Sequence, residues 1–273
     1  MARLEFLDVS GYQPNAQNRA FWDQAKQLGV AGAIIKTTEG TYYRNPYGWN
    51  QVAAAKLAGM KVAAYHFAKF VGNSYQAVNE ANYAIATANS MGLPHGSIIV
   101  LDYEERAGIR AYNTQACIAF CKTIKAAGFV PAFYSYSGMA NLWDYEAIRQ
   151  ATGAKFWVAA YPRLGPAYSP DYGSFPSISA YIDGWQYTDN WRGWGVDGSV
   201  DLTGVFTTTE KVTSGGHLDD CHFEEGKLVV GGWFASDKAN GKGNHYVIIT
   251  DDQGHEFARQ SVVLAPRPDV AKA

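Results

Sequence analysis

The sequence predicts an α/β fold on a mostly parallel sheet: an irregular, TIM-like (β/α) barrel with its late helices missing, followed by a small all-β module. Three observations carry this. Six apolar, strand-forming runs alternate with amphipathic stretches, several of them stopped by a glycine, which is the pattern of βαβ units. After Tyr161 the helical stretches vanish, while two more strand-like runs follow. From Thr207 the composition shifts to Thr, Ser, Lys and Gly, and short strand-like runs succeed it. Six alternating strands also suit an open doubly wound sheet. No glycine-rich phosphate loop follows the first strand, however, which disfavours a nucleotide-binding fold.

Residues 4–9 read as the first strand, and 18–28 as an amphipathic helix closed by Gly29. Strand 31–36 runs into Thr37-Thr38-Glu39-Gly40, and helix 47–58 is closed by Gly59. Strand 61–67 leads to a long helix, 75–91, stopped by Gly92 and Pro94. The fourth strand lies within 97–105. Helix 114–127 ends at Gly128, strand 130–136 precedes helix 141–151, and strand 155–161 is the sixth. Residues 164–177, rich in Pro, Gly, Ser and Tyr, read as loop. Residues 180–187 and 198–205 hold strands seven and eight.

This places a barrel domain at 1–206, a linker at 207–216 and a β-rich module at 217–273. The module's strands are 227–234, 245–250 and 256–264, with a hairpin turn at Asp251-Asp252-Gln253-Gly254. A module below about 70 residues without disulfides is marginal alone. It is expected to lean on the barrel, pair with another chain, or be the truncated start of something longer.

Composition removes several function classes. A net charge of -2 over 273 residues offers no basic field for nucleic acid or an anionic membrane. No run reaches a transmembrane length, and Met1 to Phe6 opens no long apolar signal segment. Three cysteines imply no disulfide framework, and buried free thiols are expected. Eight Trp and 18 Tyr give flat apolar rings that suit sugar faces, although such rings also fill cores.

The chemistry concentrates in Ser97-Ile98-Ile99-Val100-Leu101-Asp102-Tyr103-Glu104-Glu105, where a buried strand ends in acid. Side chains alternate along a strand, so Asp102 and Glu104 share a face, with backbones about 6.5 Å apart. Burial and mutual repulsion raise the pKa of one of two such carboxyls, which makes a general acid beside an ionised partner. The bland alternative is a strand running into a solvated acidic loop. Asp8, Glu39, His66, Tyr134 and Tyr161 also fall at strand C-termini, the face where barrels build active sites. Asp201 lies in the last strand, which closes beside the first and so is expected near Asp8. Asp197 is expected in a solvated turn. A structural role does not account for acids converging in this way. A hard cation held by carboxylates alone is the other chemical reading. His66, the sole imidazole in register, is expected to be a satisfied, hydrogen-bonded residue. His217 and His222 flank Asp219 and Asp220 without the spacing of a zinc site. No metal or cofactor is expected.

Seven short segments recur here in order: Asp8-Val9-Ser10-Gly11-Tyr12-Gln13, Ile35-Lys36-Thr37-Thr38-Glu39-Gly40, Tyr65-His66-Phe67, Asp102-Tyr103-Glu104, Trp157-Val158-Ala159-Ala160-Tyr161, Trp185-Gln186-Tyr187 and Val200-Asp201-Leu202. Each is weak alone. As an ordered series over residues 4–206 they resemble the family-25 glycoside hydrolases, the lysozymes of bacteriophage and bacterial-autolysin type. The resemblance implies an irregular β/α barrel and an N-acetylmuramidase acting on bacterial peptidoglycan. It implies Glu104 as the acid that protonates the leaving oxygen, Asp102 as its partner, and Asp8 and Asp201 as the other acids of the groove. Either a protein carboxylate or the substrate's own N-acetyl oxygen then acts as nucleophile. The second is favoured because adjacent same-face acids suit it, and both routes retain configuration. Glu39, Tyr65, His66, Tyr134, Tyr161, Trp185, Gln186 and Tyr187 are the candidates for holding substrate, Glu39 more in support than in proton transfer. The family also often appends a wall-binding module. Trp233, Phe234, Tyr246 and Phe257 would serve such a surface or the module's core, with a wall glycan or wall polymer as partner. The leaderless start fits a phage lysin that waits in the host cytoplasm until a pore releases it.

Two other readings compete. Chitinase-like barrels carry a further Asp two residues before the Asp-x-Glu pair, where this chain has Val100. A non-catalytic carbohydrate-binding barrel would have lost the acids that this chain keeps. A muramidase needs Asp8, Asp102, Glu104 and Asp201 around one sugar-sized cleft, and the assignment falls if Asp8 or Asp201 opens elsewhere.

Overall fold

A computed structural model describes residues 3–162, 165–178, 181–208, 214–236, 246–250 and 256–262. The chain packs as two compact units, Met1–Thr209 and Glu210–Ala273.

The first unit is a closed barrel. Its elements in chain order are β1 (Glu5–Val9), α1 (Arg19–Gln27), β2 (Val30–Glu39), the two-residue β3 (Tyr43–Arg44), α2 (Gly48–Leu57), β4 (Lys61–Phe67), α3 (Ser74–Ser90), β5 (Ile98–Asp102), α4 (Arg110–Ala126), β6 (Val130–Tyr136), α5 (Tyr145–Thr152), β7 (Lys155–Ala159), β8 (Gly184–Thr188) and β9 (Asp197–Asp201). The sheet runs β1-β9-β8-β7-β6-β5-β4-β2, and β1 pairs with β2 to close it. Among the described residues no α-helix follows β7 or β8, as the sequence predicts. Helix starts are set by local chemistry. Asn73 accepts from the backbone N–H groups of Tyr75 and Gln76 at the head of α3, and Asp144 from Ala147 N–H at the head of α5. The α5 start lies beyond the expected residue 141 because 137–142 forms a 3-10 turn instead.

One strand runs against the others, as a mostly parallel sheet allows. β9 is antiparallel to both β8 and β1, whereas the other neighbouring barrel strands are parallel. Only residues 189–196 join β8 to β9. That is too short for a crossover, which takes a dozen residues or more, so the chain turns back as a hairpin. β9 therefore starts at the mouth formed by the C-terminal ends of the parallel strands and finishes at the barrel floor.

Alternation divides the apolar residues into two sets. Phe6, Ile34, Val100, Ala132, Trp157 and Phe206 fill the barrel. Leu7, Ile35, Leu101, Phe133, Val158 and Val200 face outward, in the cluster shared with helix residues such as Trp22 and Phe120. Phe206 plugs the floor, its ring stacked on Phe6 with centroids 4.9 Å apart. Gly32 makes room for that plug, since a Cβ there would lie 2.4 Å from the Phe206 carbonyl oxygen. Cys117 and Cys121 are buried free thiols on α4, but Cys221 is exposed, against the expectation of buried thiols throughout. Among the described residues no helix is long and apolar enough to cross a membrane.

The second unit contains two antiparallel ribbons, β10 (Ser214–Glu224) with β11 (Lys227–Ser236), and β12 (Tyr246–Thr250) with β13 (Glu256–Ser261). The linker expected at 207–216 is thus already strand from Ser214. Between β10 and β11, Glu225 (φ 48°) and Gly226 (φ 76°) are both left-handed, as a two-residue type I′ hairpin requires. The expected turn at 251–254 lies outside the described residues. Phe223, Leu228, Tyr246 and Ile248 are exposed within this unit.

Candidate active site

The mouth of the barrel holds a cleft of about 400 Å³ lined by Asp8, Tyr65, Asp102, Glu104, Asp189 and Asp197, together with Lys36 and the Ser10–Gln13 turn. Alternation along β5 accounts for its centre. Val100 and Asp102 point inward, Leu101 and Tyr103 outward, and Glu104 returns to the inner face just past the strand. Tyr103 anchors this strand end from outside: its hydroxyl donates to Asn113 Oδ1 at 2.9 Å and accepts from Gly72 N–H at 2.9 Å.

Burial pushes the Asp102 carboxyl well above its ordinary pKa, with repulsion from Glu104 adding to it. Burial also raises Glu104. The hydrogen bond it shares with Asp102 opposes that rise, as do the charges of Lys36 and Lys69. The two therefore titrate as a pair. Asp102 Oδ1 is buried without a hydrogen-bond partner among the described residues.

Asp8 and Asp197 face each other across the β1–β9 pairing. Burial, then repulsion from Asp197, raises Asp8 well above its ordinary value. Asp197 is pushed up to about 7, first by burial and then by Asp189. Gln186 bridges this pair to the opposite wall. Its amide donates to Asp8 Oδ1 at 2.9 Å and to Asp197 Oδ2 at 3.4 Å, while its Oε1 accepts from the Tyr134 and Tyr161 hydroxyls, each at 2.7 Å. Gln186 is buried and so is Tyr134, which makes them a frame beneath the site.

Lys36 is the cation of the cleft. It sits 4.6 Å from the Phe67 ring centroid and pairs with Glu39 at 2.8 Å. Glu39 does not line the cleft. Lys36, Lys69 and the Tyr42 hydroxyl hold it at the rim, and although burial opposes it, the bond and charge of Lys36 bring its pKa below the ordinary value.

Four expected site residues are elsewhere. Asp201 is at the floor, because β9 runs downward. Its Oδ1 accepts from Thr203 and Gly204 N–H, and its Oδ2 from Phe206 N–H, Thr207 N–H and the Thr207 hydroxyl, at 2.8–3.1 Å. It caps the loop that inserts Phe206, so the requirement stated above fails for Asp201 itself; the fourth acid around the cleft is Asp197, and four acids around one cleft are found with it in that place. The inner-face acid of β9 at the mouth is Asp197, not solvated-turn residue but cleft wall. His66 points outward, fully buried, with Nδ1 2.8 Å from the Thr38 hydroxyl and Nε2 2.8 Å from Glu80, so it cannot reach substrate. Trp185 and Tyr187 lie on the outer face of β8, opposite Gln186. Trp185 Nε1 donates to the Ala160 carbonyl, and the Tyr187 hydroxyl to Glu5. The structure brings together Asp8, Asp102, Glu104 and Tyr65, with Tyr134, Tyr161 and Gln186 behind them. Asp189, Asp197 and Lys36 were not assigned to the site in the sequence. The short β8–β9 connection was the signal that could have found Asp197.

Comparison with known proteins gives four findings. The family profile described as glycosyl hydrolases family 25 matches residues 7–196. A lysozyme of Streptococcus phage Cp-7 is 34% identical over 188 residues, 68% of this chain and 50% of that protein. A protein of Streptococcus phage B30 named D-alanyl-L-alanine endopeptidase is 31% identical over 199 residues, 72% of this chain and 42% of that protein. The chain thus spans about half the length of these relatives. The crystal structure of the modular Cpl-1 endolysin complexed with a peptidoglycan analogue superposes with a TM-score of 0.60 at 25% identity, covering 93% of this chain and 70% of that one.

Proposed function

The chain belongs to the glycosyl hydrolases of family 25, and from that premise we propose that its barrel is a lysozyme. It cleaves the β-1,4 bond between N-acetylmuramic acid and N-acetylglucosamine in peptidoglycan. The observation that carries this reading is the pairing of Asp102 and Glu104 on one inner face, in a cleft whose opposite wall is Asp8 and Asp197.

Glu104 gives its proton to the leaving glycosidic oxygen and later takes one from the incoming water. Its raised pKa suits this, because an acid must still hold its proton near working pH. Asp102 orients the substrate's acetamido group, whose oxygen attacks C1 as the bond to the leaving sugar breaks. Water then opens the cyclic intermediate and configuration is retained. The partnerless Asp102 Oδ1 supports this role, as an acceptor for the acetamido N–H. Asp8 and Asp197, held by Gln186, face the developing oxocarbenium ion, and the positive charge forming there favours the ionised form of a pair that burial and mutual repulsion otherwise hold back. Tyr65 offers a ring to a sugar face.

The phage lysozyme above supports a lysin made in a host cytoplasm that acts on the wall. The unit at 210–273 is proposed to hold the enzyme on the wall through a glycan or wall polymer. If residues 1–208 alone bind and lyse walls as well as the full chain, that targeting role is wrong.

Digestion of a defined peptidoglycan polymer tests the activity. New reducing ends at muramic acid are expected. Release of amino groups would instead indicate the peptide cleavage that the name of the phage B30 relative describes. Binding with neither product would indicate a carbohydrate-binding barrel.

A further inference from the structure

The outer wall of the barrel carries a second concavity, about 760 Å³ and larger than the cleft. It lies along the start of β1 and the end of β9, where no helix among the described residues covers the sheet and the 168–172 loop forms one side. Its charge is opposite to that of the mouth. Among its described lining residues the charged ones are Arg3, Arg192 and Glu5. Glu5 is already engaged on both oxygens, by the Tyr187 hydroxyl at 2.8 Å and Trp191 Nε1 at 3.1 Å.

Arg192 is costly to keep where it is. It takes a left-handed backbone conformation, φ 51°, which disfavours any residue with a side chain. Its Nε is buried with no hydrogen-bond partner among the described residues. Its guanidinium lies 5.1 Å from the Trp191 ring centroid, and that of Arg3 lies 5.8 Å from the Tyr172 centroid. Both guanidiniums are thus set against rings. Tyr168 and Tyr172 present half or more of their surface to solvent at the same groove. Strain and an unsatisfied donor at one residue, beside a concavity, are what a ligand site stores.

We propose that this groove binds a phosphodiester-linked polyol or sugar chain, the chemistry of an anionic wall polymer. The Arg192 and Arg3 forks take phosphates, and the faces of Tyr168 and Tyr172 take the carbon skeleton. A groove of this volume accommodates several repeat units rather than one phosphate. The net charge of -2 acts alike on every polyanion, so nucleic acid is told apart from such a polymer by the oligonucleotide comparison below.

Calorimetric titration of the full chain tests this, with a short oligomer of glycerol phosphate as probe. Glycerol phosphate monomer and a single-stranded oligonucleotide of equal charge are the comparison ligands. Saturable binding of the oligomer is expected, tighter than either comparison. The Arg3→Gln/Arg192→Gln double variant should weaken it about tenfold or more. Arg192→Gly relieves the left-handed strain, so it should lose affinity with an unchanged or higher melting midpoint. The proposal is overturned if the oligomer does not saturate, if monomer or oligonucleotide binds as tightly, or if the double variant binds like the parent, which would place the affinity in the 210–273 unit. Should Arg192→Gly lower the midpoint as well as the affinity, Arg192 is a structural residue and its part in the site is withdrawn.

Discussion

Asp197 and Asp201 sit four residues apart on β9, on the same inner face, yet at opposite ends of the barrel. At the mouth, Asp197 is surrounded by acids and has its pKa pushed up to about 7, mainly by burial. At the floor, Asp201 meets five donors and closes a loop. The same side chain is destabilised in one setting and stabilising in the other. Carboxylates crowded around a single shared amide donor belong to chemistry, and carboxylates saturated by backbone N–H groups belong to architecture.

The largest effect expected at the mouth is for Glu104→Gln. Turnover measured by new reducing ends should fall by about a thousandfold or more, with binding to insoluble wall retained. Undiminished lysis by this variant would remove Glu104 from its role.

The contrast within β9 is tested by crossing two isosteric changes. Asp197→Asn should lower kcat by about a hundredfold without lowering the melting midpoint. Asp201→Asn should destabilise the barrel by about 2–4 kcal/mol, since it weakens five hydrogen bonds to one buried charge, while kcat per folded molecule stays near that of the parent. Thermal melts and active-fraction kinetics read both. The reverse pattern would break the comparison.

Gln186→Leu should reduce kcat by about tenfold, more than it raises KM, because it frees Asp8 and Asp197 without removing either charge. A change in KM alone would make Gln186 a substrate contact instead.

The smallest effect is one of pH. A carboxyl raised on folding from an ordinary 3.8 to about 7 binds its proton more tightly in the native state. The native state then loses stability as pH rises between those values, and the loss is complete above about 7. Asp197→Asn carries no such penalty, so its melting midpoint relative to the parent should rise from pH 4 to pH 8. At about 2–4 °C per kcal/mol for a domain of this size, the trend is measurable. A flat difference would mean that Asp197 is not crowded as described.

Much of this was legible in the sequence. The glycine-stopped helices, the loss of helices after β7 and the acid pair at the end of β5 all follow from local pattern, and the barrel has them. What failed were facts of direction. The sequence reading set the last strand beside the first without giving it a direction, although residues 189–196 are too few for a crossover, and so it put Asp201 where Asp197 stands. Tyr65 and His66, or Trp185, Gln186 and Tyr187, cannot all face one cleft, because neighbours on a strand alternate. Treating each short segment as a unit hid this. In the second unit, Ser214 to Gly216 resemble a linker in composition, and only pairing with β11 makes them strand.

The most direct test is the structure of the Glu104→Gln chain with a peptidoglycan tetrasaccharide. Sugar rings are expected between Asp8, Asp102 and Asp197, with an acetamido group against Asp102 and no sugar near Asp201. A tetrasaccharide seated outside that mouth, or one whose glycosidic oxygen lies beyond the reach of residue 104, would contradict the account.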